Sequence, residues 1–127
     1  VSRYGILSGI WEDKENTILN VSAMNEKPKA SYAEEFLGVR GNDGKKEYCS
    51  VFGQYILTPE VFQQLETDIR KADEGNDHTR EIELTSALEA VRSNHGMMGV
   101  RLDGEMYDMG NPDALCRCVA AFSKPKE

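Results

Sequence analysis

Apolar positions along this chain switch between two periods, and the switches mark its elements. In "TILNVSAMNEKP" Leu19, Val21 and Ala23 share one face, Ile18 and Met24 the other, and Pro28 closes the run, which predicts a strand. "RYGIL" ahead of it reads as a short strand end in which Gly5 permits close backbone approach. "YCSVFGQYIL" is apolar on both faces, the pattern of a strand covered on two sides. Met98, Val100 and Leu102 alternate again, before an Asp103-Gly104 turn and a return strand. Elsewhere the period is helical. "TPEVFQQLETDIRKA" opens with Thr58 as cap and Pro59 in the first turn, and its buried stripe is Phe62, Leu65 and Ile69. "REIELTSALEAVRSNHG" turns Leu84, Leu88 and Val91 inward and stops at Gly96. A last helix, capped by Asn111 and started by Pro112, carries Leu115, Val119 and Phe122 and ends near Ser123. Residues 29–47 form the most polar stretch, an insert with a short helix at 32–37 and an Asn-Asp-Gly turn.

Strands followed by helices predict an α/β fold with a mixed sheet flanked by helices, residues 1–127 making one domain or part of one. No apolar run approaches the roughly 20 residues of a membrane helix, so no membrane partner is expected. No basic-then-apolar leader suggests secretion, and the initial Val rather than Met hints at a processed chain or a piece cut from a longer one. A net charge of −7, with no basic stripe, argues against nucleic acid, so an anionic ligand must be held by local donors. Cys49, Cys116 and Cys118 read as reduced thiols in a cytoplasmic protein. His78 and His95 lack zinc-ligand spacing to them.

Two stretches carry candidate chemistry. In "NEKPK", Glu26 and Lys27 leave a strand end and Pro28 turns the chain away. A carboxylate there can accept from sugar hydroxyls while the ammonium donates to a phosphate. The plain alternative is an exposed ion pair contributing at most about 1 kcal/mol. In "EMYDMGNPDAL", Asp108 falls at a strand-to-helix junction, where it either holds a ligand at a rim or merely accepts bonds in a turn.

In order, "SRYGIL", "NEKPKA", "FGQYILTPEVF", "REIELTSAL" and "MYDMGNPDAL" resemble the sugar-1-phosphate nucleotidyltransferases, and within them the bacterial-type UTP–glucose-1-phosphate uridylyltransferases. The resemblance covers residues 2–115 and implies the C-terminal, sugar-phosphate-binding half of a Rossmann-like nucleotide-diphospho-sugar transferase fold. It implies that Gly5 presents its backbone to the sugar, Glu26 binds hexose hydroxyls, Lys27 binds the sugar phosphate, and the backbone from Val51 to Gly53 lines the pocket. Asp108 would be one of two aspartates holding a catalytic Mg²⁺. The intact protein would then make UDP-glucose and pyrophosphate from UTP and glucose 1-phosphate.

The family's glycine-rich nucleotide loop, with its Arg, Lys and first metal aspartate, does not occur in this sequence. Arg80 stands where members commonly carry Gly, and the stretch from Pro28 to Val51 is longer than usual. The chain alone is therefore expected to lack turnover, and to self-associate through apolar surface that the nucleotide half would cover. A relative using another nucleotide or sugar, and a non-catalytic sugar-phosphate-binding or partner-interaction module of the same fold, are the competing readings.

Overall fold

A computed structural model describes residues 3–75, 81–107 and 109–123. Strands β1 (Ile6–Trp11) and β2 (Ile18–Asn25) form a long antiparallel hairpin, flanked by β5 (Cys49–Ser50) on β1 and β6 (Met98–Val100) on β2. The hairpin turn is organised by Asp13, whose carboxylate accepts from the Thr17 hydroxyl and from the backbone N–H groups of Thr17 (2.9 Å) and Ile18 (3.0 Å). Those bonds hold the Asp13 carboxyl below its usual pKa, the Ile18 N–H contributing most. All ladders of this sheet are antiparallel, and among the described residues parallel pairing is confined to one bridge between Ser8 and Gly38.

Helix α1 (Ala30–Phe36) and the two-residue strands β3 (Val39–Arg40) and β4 (Lys46–Glu47) lie between β2 and β5. This is the polar insert, and its helix and turn fall where the sequence puts them. Gly44, at φ +77°, closes the turn by donating to the Gly41 carbonyl over 2.9 Å. The insert is nevertheless anchored. Ala33 and Leu37 pack on Ile6, and Val39 packs on Leu19 and Val21. The Lys46 ammonium donates to the carbonyls of Ala33 and Glu34, near the end of α1.

Helices α2 (Pro59–Glu74) and α3 (Leu84–His95) pack on each other, and α3 packs on β2. Leu84, Leu88 and Val91 face inward with Met24 and Val61. The α2 stripe differs from the expected one: Val61 and Leu65 make the contact, whereas Phe62 and Ile69 are about half exposed. One residue step turns a helix by about 100°, so seating Val61 against α3 rotates Phe62 out of the seam. Thr58 sits at the N-cap position without capping the helix; its hydroxyl side chain, close to the Glu60 carboxylate, lowers that group's pKa.

Two strand expectations need correction. Only Cys49 and Ser50 of residues 48–57 form a strand, because β1 is their sole pairing neighbour among the described residues; Phe52, Tyr55 and Ile56 are exposed. Residues 105–107 form no return strand, and Met98, Val100 and Leu102 are each more than half exposed. Helix α4 (Pro112–Phe122) begins as expected, the Asn111 side chain accepting from Ala114 N–H at 2.9 Å. Its stripe of Leu115, Val119 and Phe122 is exposed, while Ala114 is buried and Phe122 meets Tyr107 edge-on.

Candidate functional site

The site is built where β2 runs into the first turn of α3. Glu26 follows the last residue of β2, half-buried, and its Oε2 accepts from the Thr85 hydroxyl at 3.0 Å. Its Oε1 faces the Lys27 ammonium at 3.8 Å, and the Lys27 side chain is largely solvent-exposed. Lys27 has φ +43°, a left-handed conformation that a non-glycine residue adopts at a cost, and Pro28 behind it is buried. The turn at the strand end is therefore fixed by its surroundings.

Gly5 closes the other side. A Cβ at Gly5 would come within 3.0 Å of Glu26 Oε2 and 3.3 Å of Val51 Cγ2, and the Gly5 carbonyl accepts from Val51 N–H at 2.9 Å. A side chain at Gly5 would press on both neighbours, in keeping with the close approach read from "RYGIL". Four of the residues singled out in the sequence, Gly5, Glu26, Lys27 and Val51, thus share one locus. Gly53 is exposed, with no atom within 4 Å of an added Cβ, and does not join them. Asp108 lies outside the described residues, as does His78. Among the described residues no three His, Cys, Asp or Glu side chains gather closely enough to hold a metal ion. The three cysteines are unpaired.

Sequence reading missed two members of this neighbourhood. Thr85 was visible only as part of a helix start, and Tyr55 only as an apolar strand position. Partial burial raises the Tyr55 phenol above its usual pKa, and the Glu26 charge adds to the rise. A raised phenol pKa means that the folded state keeps a proton the unfolded chain has already lost. Its contribution to stability is complete below the ordinary tyrosine pKa and disappears as pH climbs through the folded value. Glu26→Gln is expected to bring the Tyr55 pKa down part of the way, burial holding the remainder. Ultraviolet pH titration, with Tyr55→Phe to identify the signal, measures it; an unchanged pKa would mean that the two groups do not interact.

A cavity of about 630 Å³ lies beside the cluster, with Leu7, Trp11, Met24, Val51, Tyr55 and Met97 among its lining residues. Glu26 and Lys27 are absent from that lining, so among the described residues the cavity meets the polar cluster through Val51 and Tyr55. A largely apolar cavity beside a carboxylate and an ammonium can seat the faces of an uncharged ring while the charges take hydroxyls and an anion.

The nucleotidyl transferase family matches residues 1–124. A UTP–glucose-1-phosphate uridylyltransferase from Staphylococcus haemolyticus (strain JCSC1435) is 36% identical over 108 residues, which are 85% of this chain and 31% of that protein. A UTP–glucose-1-phosphate uridylyltransferase 1 from Staphylococcus saprophyticus is 27% identical over 121 residues, 95% of this chain and 35% of that protein. The chain thus spans about a third of the length of these curated relatives. A crystal structure of UDP-glucose pyrophosphorylase complexed with UDP-glucose superposes with a TM-score of 0.63 at 22% identity, covering 96% of this chain and 39% of that one. That likeness concerns the fold. With the match running through the segments that build the Gly5, Glu26 and Lys27 locus, the chain belongs to the nucleotidyl transferase family.

Proposed function

We propose that residues 1–127 are the sugar-phosphate-binding part of an enzyme that makes UDP-glucose and pyrophosphate from UTP and glucose 1-phosphate. The observation that carries this reading is the meeting of Glu26 and Lys27 with Gly5 and Val51 on the first turn of α3. Glu26 accepts from hexose hydroxyls. Lys27, whose ammonium reaches solvent next to it, binds the phosphate. Val51 and the backbone at Gly5 wall the sugar, and Gly53 enters only as backbone of the same segment. Attack of a sugar-phosphate oxygen on the α-phosphorus, with pyrophosphate leaving, needs two polyanions aligned and no protein nucleophile. Mg²⁺ would screen their charge from Asp108 and a second carboxylate beyond this chain.

The names of the relatives support uridylyl transfer to a glucose phosphate. No described helix is long and apolar enough to cross a membrane, and the unpaired thiols suit a cytoplasmic setting. The exposed apolar residues of β6 and α4 support a surface that the rest of the enzyme, or a second copy of the chain, covers.

The test is pyrophosphate release from UTP and glucose 1-phosphate, by the complete protein and by residues 1–127 alone. Release by the complete protein, with none from the isolated chain, is the expected result. Robust release from the isolated chain would overturn the partial-site reading. No release by the complete protein with any nucleoside triphosphate would favour the non-catalytic module.

A further inference from the structure

We propose that Thr85 is a positioning residue that sets the orientation of Glu26 and thereby the affinity for the sugar phosphate; this rests on Glu26 being the sugar ligand. Thr85 lies in the first turn of α3, where a hydroxyl commonly caps its own helix. Here it reaches 59 positions back along the chain and donates to Glu26 Oε2 at 3.0 Å. Gly5 leaves room for the same oxygen, since a Cβ there would stand 3.0 Å from it. Oε2 is therefore tied to the Thr85 hydroxyl in a space that Gly5 keeps open, and Oε1 is left on the Lys27 side, 3.8 Å from the ammonium. A hexose phosphate needs that division of labour: one carboxylate oxygen presented to a hydroxyl, next to the cation that takes the phosphate.

The Thr85 bond is dispensable as a latch between α3 and β2. Glu89, one turn further along α3, already accepts from Met24 N–H at 3.1 Å, and Arg92 steadies it at 2.7 Å and 2.9 Å. Beneath them Met24, Val61 and Leu88 form an apolar cluster. Removing the Thr85 hydroxyl releases the Glu26 rotamer and leaves helix and strand joined.

Steady-state kinetics on the complete protein test this. Thr85→Val is expected to raise the KM for glucose 1-phosphate about tenfold, the scale of one hydrogen bond to a charged group. The kcat and the KM for UTP stay within about twofold, because Glu26 contacts the sugar before and after the transfer alike. Thr85→Ser restores the KM, since it returns the hydroxyl. Should the valine variant fold poorly by circular dichroism, Thr85→Ala carries the same readout. Glu26→Gln separates the two claims. If it raises the sugar-phosphate KM while the Thr85 variants do not, the positioning role is overturned and the role of Glu26 stands. If Glu26→Gln leaves that KM unchanged, the sugar-ligand reading itself falls, and the positioning role with it. A fall in kcat and both affinities together, unrescued by Ser, would make Thr85 merely structural.

Discussion

Gly9→Ala is expected to destabilise the chain by about 3 kcal/mol, the upper end of overpacking costs. Gly9 lies beside the irregularity in the β1–β2 ladder, where pairing steps from Ser8–Ala23 to Gly9–Val21 and leaves Ser22 unmatched. A Cβ added there would fall 2.1 Å from the Asn20 carbonyl oxygen and 3.1 Å from Leu19 Cδ1. The first neighbour is backbone and cannot rotate aside, so the two central strands must separate. The second belongs to a core residue that is 2% exposed, so the disturbance reaches Val21 and Val39. Gly99→Ala is the control. It sits on the neighbouring strand pair with its nearest neighbour at 3.5 Å, ordinary van der Waals contact, and is expected to cost less than about 1 kcal/mol. Thermal unfolding reads the difference as a drop of about 10 °C for Gly9→Ala. Equal melting temperatures for the two variants would mean that the strands do not approach at Gly9.

The same residue explains part of what the sequence left hidden. Ser8 and Gly9 interrupt the apolar alternation of β1, so only its first residues are legible, although the strand runs on to Trp11. Ser8 is buried for a reason no local pattern carries: its hydroxyl accepts from Gly38 N–H at 3.0 Å, thirty positions away. The helices were easier to read because caps and period are local, as Asn111 and the Leu84, Leu88 and Val91 stripe demonstrate. Where the period allowed two neighbouring stripes, as on α2, tertiary packing chose Val61 over Phe62. A strand of residues 48–57 needed partners on both sides, and apolar composition cannot supply them.

The candidate site divides along the same line. Glu26 and Lys27 were conspicuous because a charged pair followed by proline ends an apolar strand, and Gly5 because a glycine there had to admit something close. Their meeting was expected from a resemblance, since residues 5 and 26 have no local link; the fold brings them together where a Cβ on Gly5 would press on Glu26 Oε2. Thr85 and Tyr55 could not be found from pattern. Each contributes through a partner fixed by the packing of α3 and of the 51–57 segment.

Lys27 gives the second large effect, and its backbone and side chain can be tested apart. In the complete protein Lys27→Ala is expected to lower kcat/KM for glucose 1-phosphate by about a hundredfold, the upper range for a charge-assisted bond to an anion. Most of the loss lies in KM, because the phosphate carries its charge before the transfer begins. The backbone supplies the second variable. At φ +43° Lys27 occupies a region where Cβ crowds the following carbonyl, at a cost of about 1 kcal/mol that glycine does not incur. Lys27→Ala keeps that strain and should melt close to the parent, since the lysine side chain is largely in water. Lys27→Gly relieves the strain but raises the entropy of the unfolded chain, which offsets part of the gain and leaves roughly 0.5 kcal/mol over Lys27→Ala. The two variants should therefore lose the same activity while the glycine one is the more stable. Strain held against glycine's advantage at this one position is what a residue kept for its ammonium would display. Equal stability of the two would show that the turn is relaxed, and a KM within about twofold of the parent in either would remove Lys27 from the phosphate.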